Sequence, residues 1–556
     1  MPQLVAIGID AAERSVVERM MAAGRMPHLR ALAERSARFR LQNVATYRSD
    51  MAWVRFLTGR SEAALGWHGV LGFDPATYRM RGHGTLAARP FYALPDRRTV
   101  AFDLPGSVID PAVDGVQLTG WGTHSPQWWR ASSPPGLMRE IDARFGTNPA
   151  FGNEHDLGWH EPARIDALAA ASRIGSQRRA EAARWLAATT PGWDLLLTAT
   201  SEVHTMGHHF WFGIDDDHPL HGVAPTTDLA RQRMIDTFVD TDDAIGHVLD
   251  GLDPDVTVVV FALHGMQPAD DAAATVLLPE LLHRLHLRRH ALRNEDLSAW
   301  RSAGCPPRLL PPGTPWHGYL RDHFVDGPAD VLRRLGRRAP APLYAMARRA
   351  AGKPALHGPG ELPGHTPSEV DPAAAGAWRH DDIDWQVTAW YRRHWPAMPY
   401  FAVPTFDDSL LRINLAGREA HGVVPRDGYA QACAEATAFV RALVDARTGQ
   451  PAVAEVTALR AADPMDPGGP NADLMVQWHG SPDALAHPTL GAVGPVPHAR
   501  TGGHSTNGFA FLAGPGIEPG DRGERPAADL PPTLLALLGS PPSDTEGTPL
   551  LGRSTA

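Results

Sequence analysis

Four short apolar runs, each lying against an aspartate or a histidine, constrain this chain more than any other feature. Leu4–Ile9 (LVAIGI) ends at Asp10, and Asp194–Thr198 leads into SEVHTMGHHFW. Val256–Leu263 (VTVVVFAL) ends at His264-Gly265, and His504 precedes the run Gly508–Leu512. A fifth run, Thr99–Phe102, ends at Asp103. Continuous apolar runs of this length read as strands buried on both faces of a parallel sheet. Between them, apolar residues recur at helical spacing through Glu13–Ala23, Met26–Arg38, Ala163–Ala188 and Asp228–Leu252, and a short helix is expected over Leu530–Leu538. Strand followed by helix, repeated, predicts an α/β fold with a central, mostly parallel sheet flanked by helices. In such a fold the carboxyl ends of the strands share one edge, where ligands bind. Residues 267–400 are rich in Arg, Pro and Trp and contain PPRLLPPGTP, which no regular element accommodates. They read as an inserted cap, leaving 1–266 and 401–556 as the α/β core.

Composition removes several classes of function. With only Cys305 and Cys433 among 556 residues, the chain has neither a disulfide framework nor a thiolate metal site. A net charge of −10 argues against binding a nucleic-acid polymer. No run approaches the roughly 18 apolar residues of a membrane span, and Met1-Pro2-Gln3 leads straight into a strand. A cytoplasmic protein with no membrane association is therefore expected. The 27 histidines matter only where they fall on strand ends.

Aspartate and imidazole there suit zinc, manganese or iron. His204 and His208, four residues apart, share one face of a helix, whereas His209 turns away. Glu202 is placed either as a further ligand reaching in from the strand end or as an acceptor orienting an imidazole. Ser49, in TYRSDMAWVRFLTG, is a candidate nucleophile. A serine hydroxyl needs a base or a metal to attack at neutral pH, and with no lysine nearby and no Ser-His-Asp order the metal is the better candidate. Ser49 also reads as the cap of a helix running to Leu57. Arg48 and Arg500 are candidates for contacts to an anionic substrate. The loop GWGTHSPQWW offers Trp121, His124, Trp128 and Trp129 for substrate binding.

Taken in order, these segments resemble the alkaline phosphatase superfamily, in its type I phosphodiesterase/nucleotide pyrophosphatase branch. The resemblance is carried by GID at Gly8–Asp10, the S-x-x-A-W-x-x-F-x-T-G pattern at Ser49–Gly59 and LHGM at Leu263–Met266. It continues through LRINLAGREAHGVV at Leu411–Val424, NADLMVQW at Asn471–Trp478, TGGHSTNGFAFLAGPGI at Thr501–Ile517 and DLPPTLLALLG at Asp529–Gly539. It implies a metal-dependent hydrolase of phosphodiesters or nucleotide pyrophosphates. Ser49 would be its nucleophile, forming a covalent seryl intermediate, and one or two divalent ions, zinc foremost, its cofactor. One ion would be held by Asp10, Ser49 and His264, and the other by His204, His208 and His504. The chain departs from the branch at two positions: Leu263 replaces the aspartate of D-H-G, and His204 replaces that of D-x-x-x-H. The expected partner is a small phosphorylated or sulfated molecule. A group transferase using the same site, and a non-catalytic anion-binding relative, remain alternatives at this point.

Overall fold

The computed structural model describes residues 3–46, 51–69, 71–82, 86, 88–122, 130–151, 160–293, 296–311, 314–327, 368–370, 385–460, 462–541 and 544–552. Its largest sheet has nine strands, in the order Gly520–Pro526, Ala37–Gln42, Asn507–Ala513, Thr257–Ala262, Leu4–Ile9, Leu195–Thr200, Thr99–Phe102, Gly115–Thr119 and Ala131–Ser133. The run from Thr257–Ala262 to Gly115–Thr119 is parallel, and Asn507–Ala513 enters antiparallel beside it. The expected α/β class is observed.

Leu4–Ile9 sits at the centre because both its faces are apolar. Val5, Ile7 and Ile9 join a core with the helices Arg14–Ala22, Pro27–Glu34, Pro162–Thr189, Glu202–Ile214 and Thr227–Leu249. Leu4 and Ala6 face the opposite core, shared with the helices Ala52–Thr58 and Leu530–Leu537. Every residue of this strand is buried, as a doubly covered parallel strand requires.

Two boundaries differ from the sequence expectation. The helix expected to reach Arg38 stops at Glu34, and Ala37–Gln42 is a strand. Ala37, Phe39 and Leu41 face inward while Arg38 and Gln42 are exposed, a period of two that overrides the helical reading. The cap expected over 267–400 also does not end at 400. Residues from Ala272 to Ala499 share one hydrophobic core with Leu71, Tyr78 and Met80. Within it lies a four-stranded antiparallel sheet in the order Tyr400–Val403, Ser409–Ile413, Leu474–Trp478, Val453–Ala458. The shared core joins these strands to the preceding segment, and the chain returns to the large sheet only at Asn507–Ala513.

That return positions the site. Beyond Thr257–Ala262 the chain continues through Leu263 and His264 into the strand Gly265–Pro268, which pairs antiparallel with Gly502–Ser505 and sets Met266 opposite His504. A Cβ at Gly502 would lie 2.3 Å from the carbonyl oxygen of Gly207, so only glycine lets this strand lie against the helix Glu202–Ile214.

Candidate metal centre

Asp10 follows the last residue of the central strand and is 1 % exposed. Its Oδ1 accepts a 2.6 Å hydrogen bond from Trp53 Nε1 and lies 3.3 Å from His264 Nε2. Gly8 makes the first contact possible, since a Cβ there would meet the Trp53 ring at 2.7 Å. His264 Nδ1 lies 3.3 Å from the Gly265 carbonyl oxygen, so the ring is held with Nε2 toward the Asp10 carboxylate.

Three more imidazoles converge beside this pair. His204 and His208 lie one turn apart on the helix Glu202–Ile214, with Nε2 atoms 3.2 Å apart. His504 Nε2 is 2.8 Å from His204 Nε2, and its ring centroid is 4.7 Å from that of His264. His208 Nδ1 donates to the Gly502 carbonyl at 2.7 Å, and His504 Nδ1 donates to Asp407 Oδ2 at 3.1 Å. Each of these two rings therefore presents an unprotonated Nε2 to the common centre. Burial pushes His504 down to about 4, and burial followed by the Arg500 guanidinium holds His208 well below the ordinary imidazole range. Neutral imidazoles with converging lone pairs form a donor set for a metal ion. Ligands about 2.05 Å from a tetrahedral zinc lie about 3.3 Å apart, close to the spacing seen here. The candidate ligand atoms of His204, His208 and His504 all fall within 4.8 Å of one another.

A family model for type I phosphodiesterase / nucleotide pyrophosphatase matches residues 4–321. The chain belongs to this family. A search of curated protein sequences finds no match. Among solved structures the chain is similar to phosphonoacetate hydrolase from Sinorhizobium meliloti 1021, at 14% identity over 97% of this chain and 95% of that one, with a TM-score of 0.47. It is also similar to murine ectonucleotide pyrophosphatase / phosphodiesterase 5, at 10% identity over 99% and 98%, with a TM-score of 0.43. His504 lies beyond the stretch matched by the family model and reaches the centre through the pairing of Gly502–Ser505 with Gly265–Pro268.

The structure corrects two expected members of this site. Glu202 is not among the converging ligands. Its carboxylate lies 3.5 Å from Arg179 Nη2, and it accepts from Asn148 Nδ2 at 3.2 Å and from the Ser201 backbone N–H at 3.0 Å. Because Glu202 is the first residue of the helix, two positions before His204, its side chain leaves from the opposite side. Trp121 is fully buried, its ring 5.7 Å from Phe102 and beneath the Arg179 guanidinium, so it offers no face to a substrate. Arg179 also pairs with Asp103 at 2.6 Å, and Asp103 accepts the backbone N–H groups of Trp121 and Gly122. The aspartate ending the strand Thr99–Phe102 thus anchors a loop.

Arg500 does reach the centre. Its Nη1 lies 3.4 Å from His208 Nε2, Nη2 donates to the Phe406 carbonyl, and Nε faces Asp271 at 3.5 Å. Burial raises the Asp271 carboxyl above the ordinary range. Ser49, Arg48, His124, Trp128 and Trp129 lie outside the described residues. The helix after Ser49 begins at Ala52, and Met51 before it makes no side-chain cap hydrogen bond. Asp407 is the functional residue that sequence reasoning missed. It sits between two strands of the second core, and no ligand spacing marks it.

Proposed function

We propose that this chain is a metal-dependent hydrolase of small phosphate esters, of the phosphodiester or nucleotide-pyrophosphate type, with Ser49 as nucleophile. The observation that carries the reading is the convergence of His204, His208 and His504 beside the Asp10–His264 pair, at the carboxyl edge of the central strands. Family membership supports the reaction class.

Asp10, Ser49 and His264 would hold one divalent ion, and His204, His208 and His504 the other. A bound divalent cation supplies Lewis-acid stabilisation of phosphoryl oxygens and lowers the pKa of a hydroxyl beside it. The Ser49 oxygen attacks phosphorus in line, the new O–P bond forms and the ester P–O bond breaks, carrying the leaving alcohol or phosphate away. Water then attacks the same phosphorus and releases Ser49. Arg500, already beside His208, supplies cationic hydrogen bonds to the phosphoryl group. Arg500 and Asp271 also line a pocket walled by Trp316, Trp385 and Phe406, and we place the organic part of the ester there.

The test uses zinc-loaded protein and bis-p-nitrophenyl phosphate. Turnover is expected in the wild type, with a loss of about 10³-fold or more in Ser49→Ala and in His208→Ala. Equal turnover in Ser49→Ala would overturn the nucleophile, and no turnover by any metal-loaded form would overturn the reaction class.

A further inference from the structure

A second cluster of metal-capable side chains lies in the other hydrophobic core. His283 is on the helix Leu278–Leu287, Asp326 lies just beyond the helix Trp316–His323, and His394 is in the helical segment Val387–Ala397. Their candidate ligand atoms fall within 4.8 Å of one another. His283 and Asp326 side chains are 0 % and 1 % exposed.

The His283 ring shows what this cluster lacks. Its Nδ1–H donates to the Arg289 carbonyl at 3.1 Å, which leaves Nε2 with a lone pair. Nε2 is buried, has no hydrogen-bond partner among the described residues, and faces Asp326 Oδ1 at 3.8 Å. The Nε2 lone pair and the carboxylate oxygen, which Arg289 Nη2 approaches at 3.6 Å, are two acceptors facing each other. His394 completes the group, its Nε2 lying 2.5 Å from Asp326 Oδ2 and its ring centroid 5.0 Å from that of His283. Burial pushes His283 down to about 4, so its imidazole is neutral at pH 7.

We propose that His283, Asp326 and His394 form a second metal site, separate from the catalytic centre, that takes a single zinc-class divalent ion. Ligands about 2.0–2.2 Å from such an ion lie about 3.3 Å apart in a tetrahedral arrangement, so binding closes the 3.8 Å His283–Asp326 gap by about 0.5 Å and opens the 2.5 Å His394–Asp326 contact by about 0.8 Å. Three protein ligands leave one position for water.

Arg289 and Arg393 also reach Asp326, and they are the competitors of the ion. Their side chains are 53% and 51% exposed, so both can withdraw into solvent, whereas the buried imidazole cannot. The role this position assigns is structural. Asp326 and His394 are 68 residues apart in sequence, and an ion shared between them closes that excursion of chain onto the helix carrying His283. A cross-link of this span restricts the unfolded chain and so stabilises the folded one.

Zinc stoichiometry of the full-length protein tests the site, read by elemental analysis after zinc loading and gel filtration. His283→Gln and His394→Gln are each expected to bind one equivalent less than wild type and to lose the zinc-dependent rise in Tm. His208→Ala is expected to lose its equivalent independently, so that the double variant His208→Ala/His394→Gln loses both. Arg393→Gln, which removes a competing cation, is expected to bind zinc at this site more tightly in a chelator competition. His394 is partly exposed, so its variant keeps the test open if His283→Gln fails to fold. Wild-type stoichiometry in His394→Gln, with the His208→Ala loss intact, would overturn this site while leaving the catalytic reading in place.

Discussion

The His504 imidazole is held from behind. Asp407 accepts its Nδ1–H at 3.1 Å and so fixes both the tautomer and the direction in which Nε2 points. Leu263 and His204 stand where the family carries aspartates, so the three-histidine group brings no formal charge of its own to a dication. The Asp407 carboxylate supplies negative charge to the back of one ligand, raising the basicity of its ring. Asp407→Asn is expected to weaken zinc binding by about 10–100-fold, as removal of such an orienting partner does at other sites. Competition with a chromophoric chelator measures this, and unchanged affinity would remove Asp407 from the centre. Asp407 was illegible in the sequence because a loop of a different core delivers it, in a stretch (TFDDS) with no ligand spacing. Asp10, His204, His208, His264 and His504 were legible because each is tied to the edge of a strand or one face of a helix, which local patterning reports. Glu202 and Trp121 misled for the same physical reason. A polar or aromatic residue near a strand end is ambiguous until its direction is known, and Arg179 draws both inward.

At the scale of elements, the centre depends on how closely the strand Gly502–Ser505 lies against the helix Glu202–Ile214. Gly502 makes that approach possible, since the neighbour of its absent Cβ would be the backbone oxygen of Gly207 at 2.3 Å. A backbone atom inside a helix cannot swing aside as a side chain can. Gly502→Ala is therefore expected to separate His504 from His204 and His208, to destabilise the fold by about 1–3 kcal/mol and to lower metal affinity. Urea unfolding and a chelator titration read the two effects, and wild-type values in both would refute the packing argument. The strand Ala37–Gln42 shows where element boundaries escape pattern reading. Its alternation begins only three residues after a helix ends, and the two periods overlap in ARFRLQ.

At the scale of the whole molecule, the second core from Ala272 to Ala499 carries His286 and His317 half-buried at its edge. Burial pushes His286 and His317 down to about 4. In the unfolded chain histidines take up protons near pH 6.5, whereas these two stay neutral in the folded chain until about pH 4. Between those values the unfolded state binds more protons, so stability falls as pH drops from about 6.5 toward 4. Urea unfolding of metal-free protein at pH 7 and pH 5 should show the decline, and His317→Phe should flatten it. An equal slope in that variant would exclude His317 as a contributor. The α/β class was legible because the central strands are apolar throughout. The limit of the second core was not, because apolar residues on either side of the expected boundary at 400 meet in one core that no local pattern reports. Among the described residues no helix is long and apolar enough to cross a membrane.

The proposed catalytic chemistry rests on a metal centre built on His204, His208 and His504. Element-resolved anomalous scattering from crystals of zinc-loaded protein tests it most directly. A zinc peak is expected within about 2.0–2.1 Å of the Nε2 atoms of all three rings. Zinc-loaded crystals with no anomalous peak among these three imidazoles would contradict it.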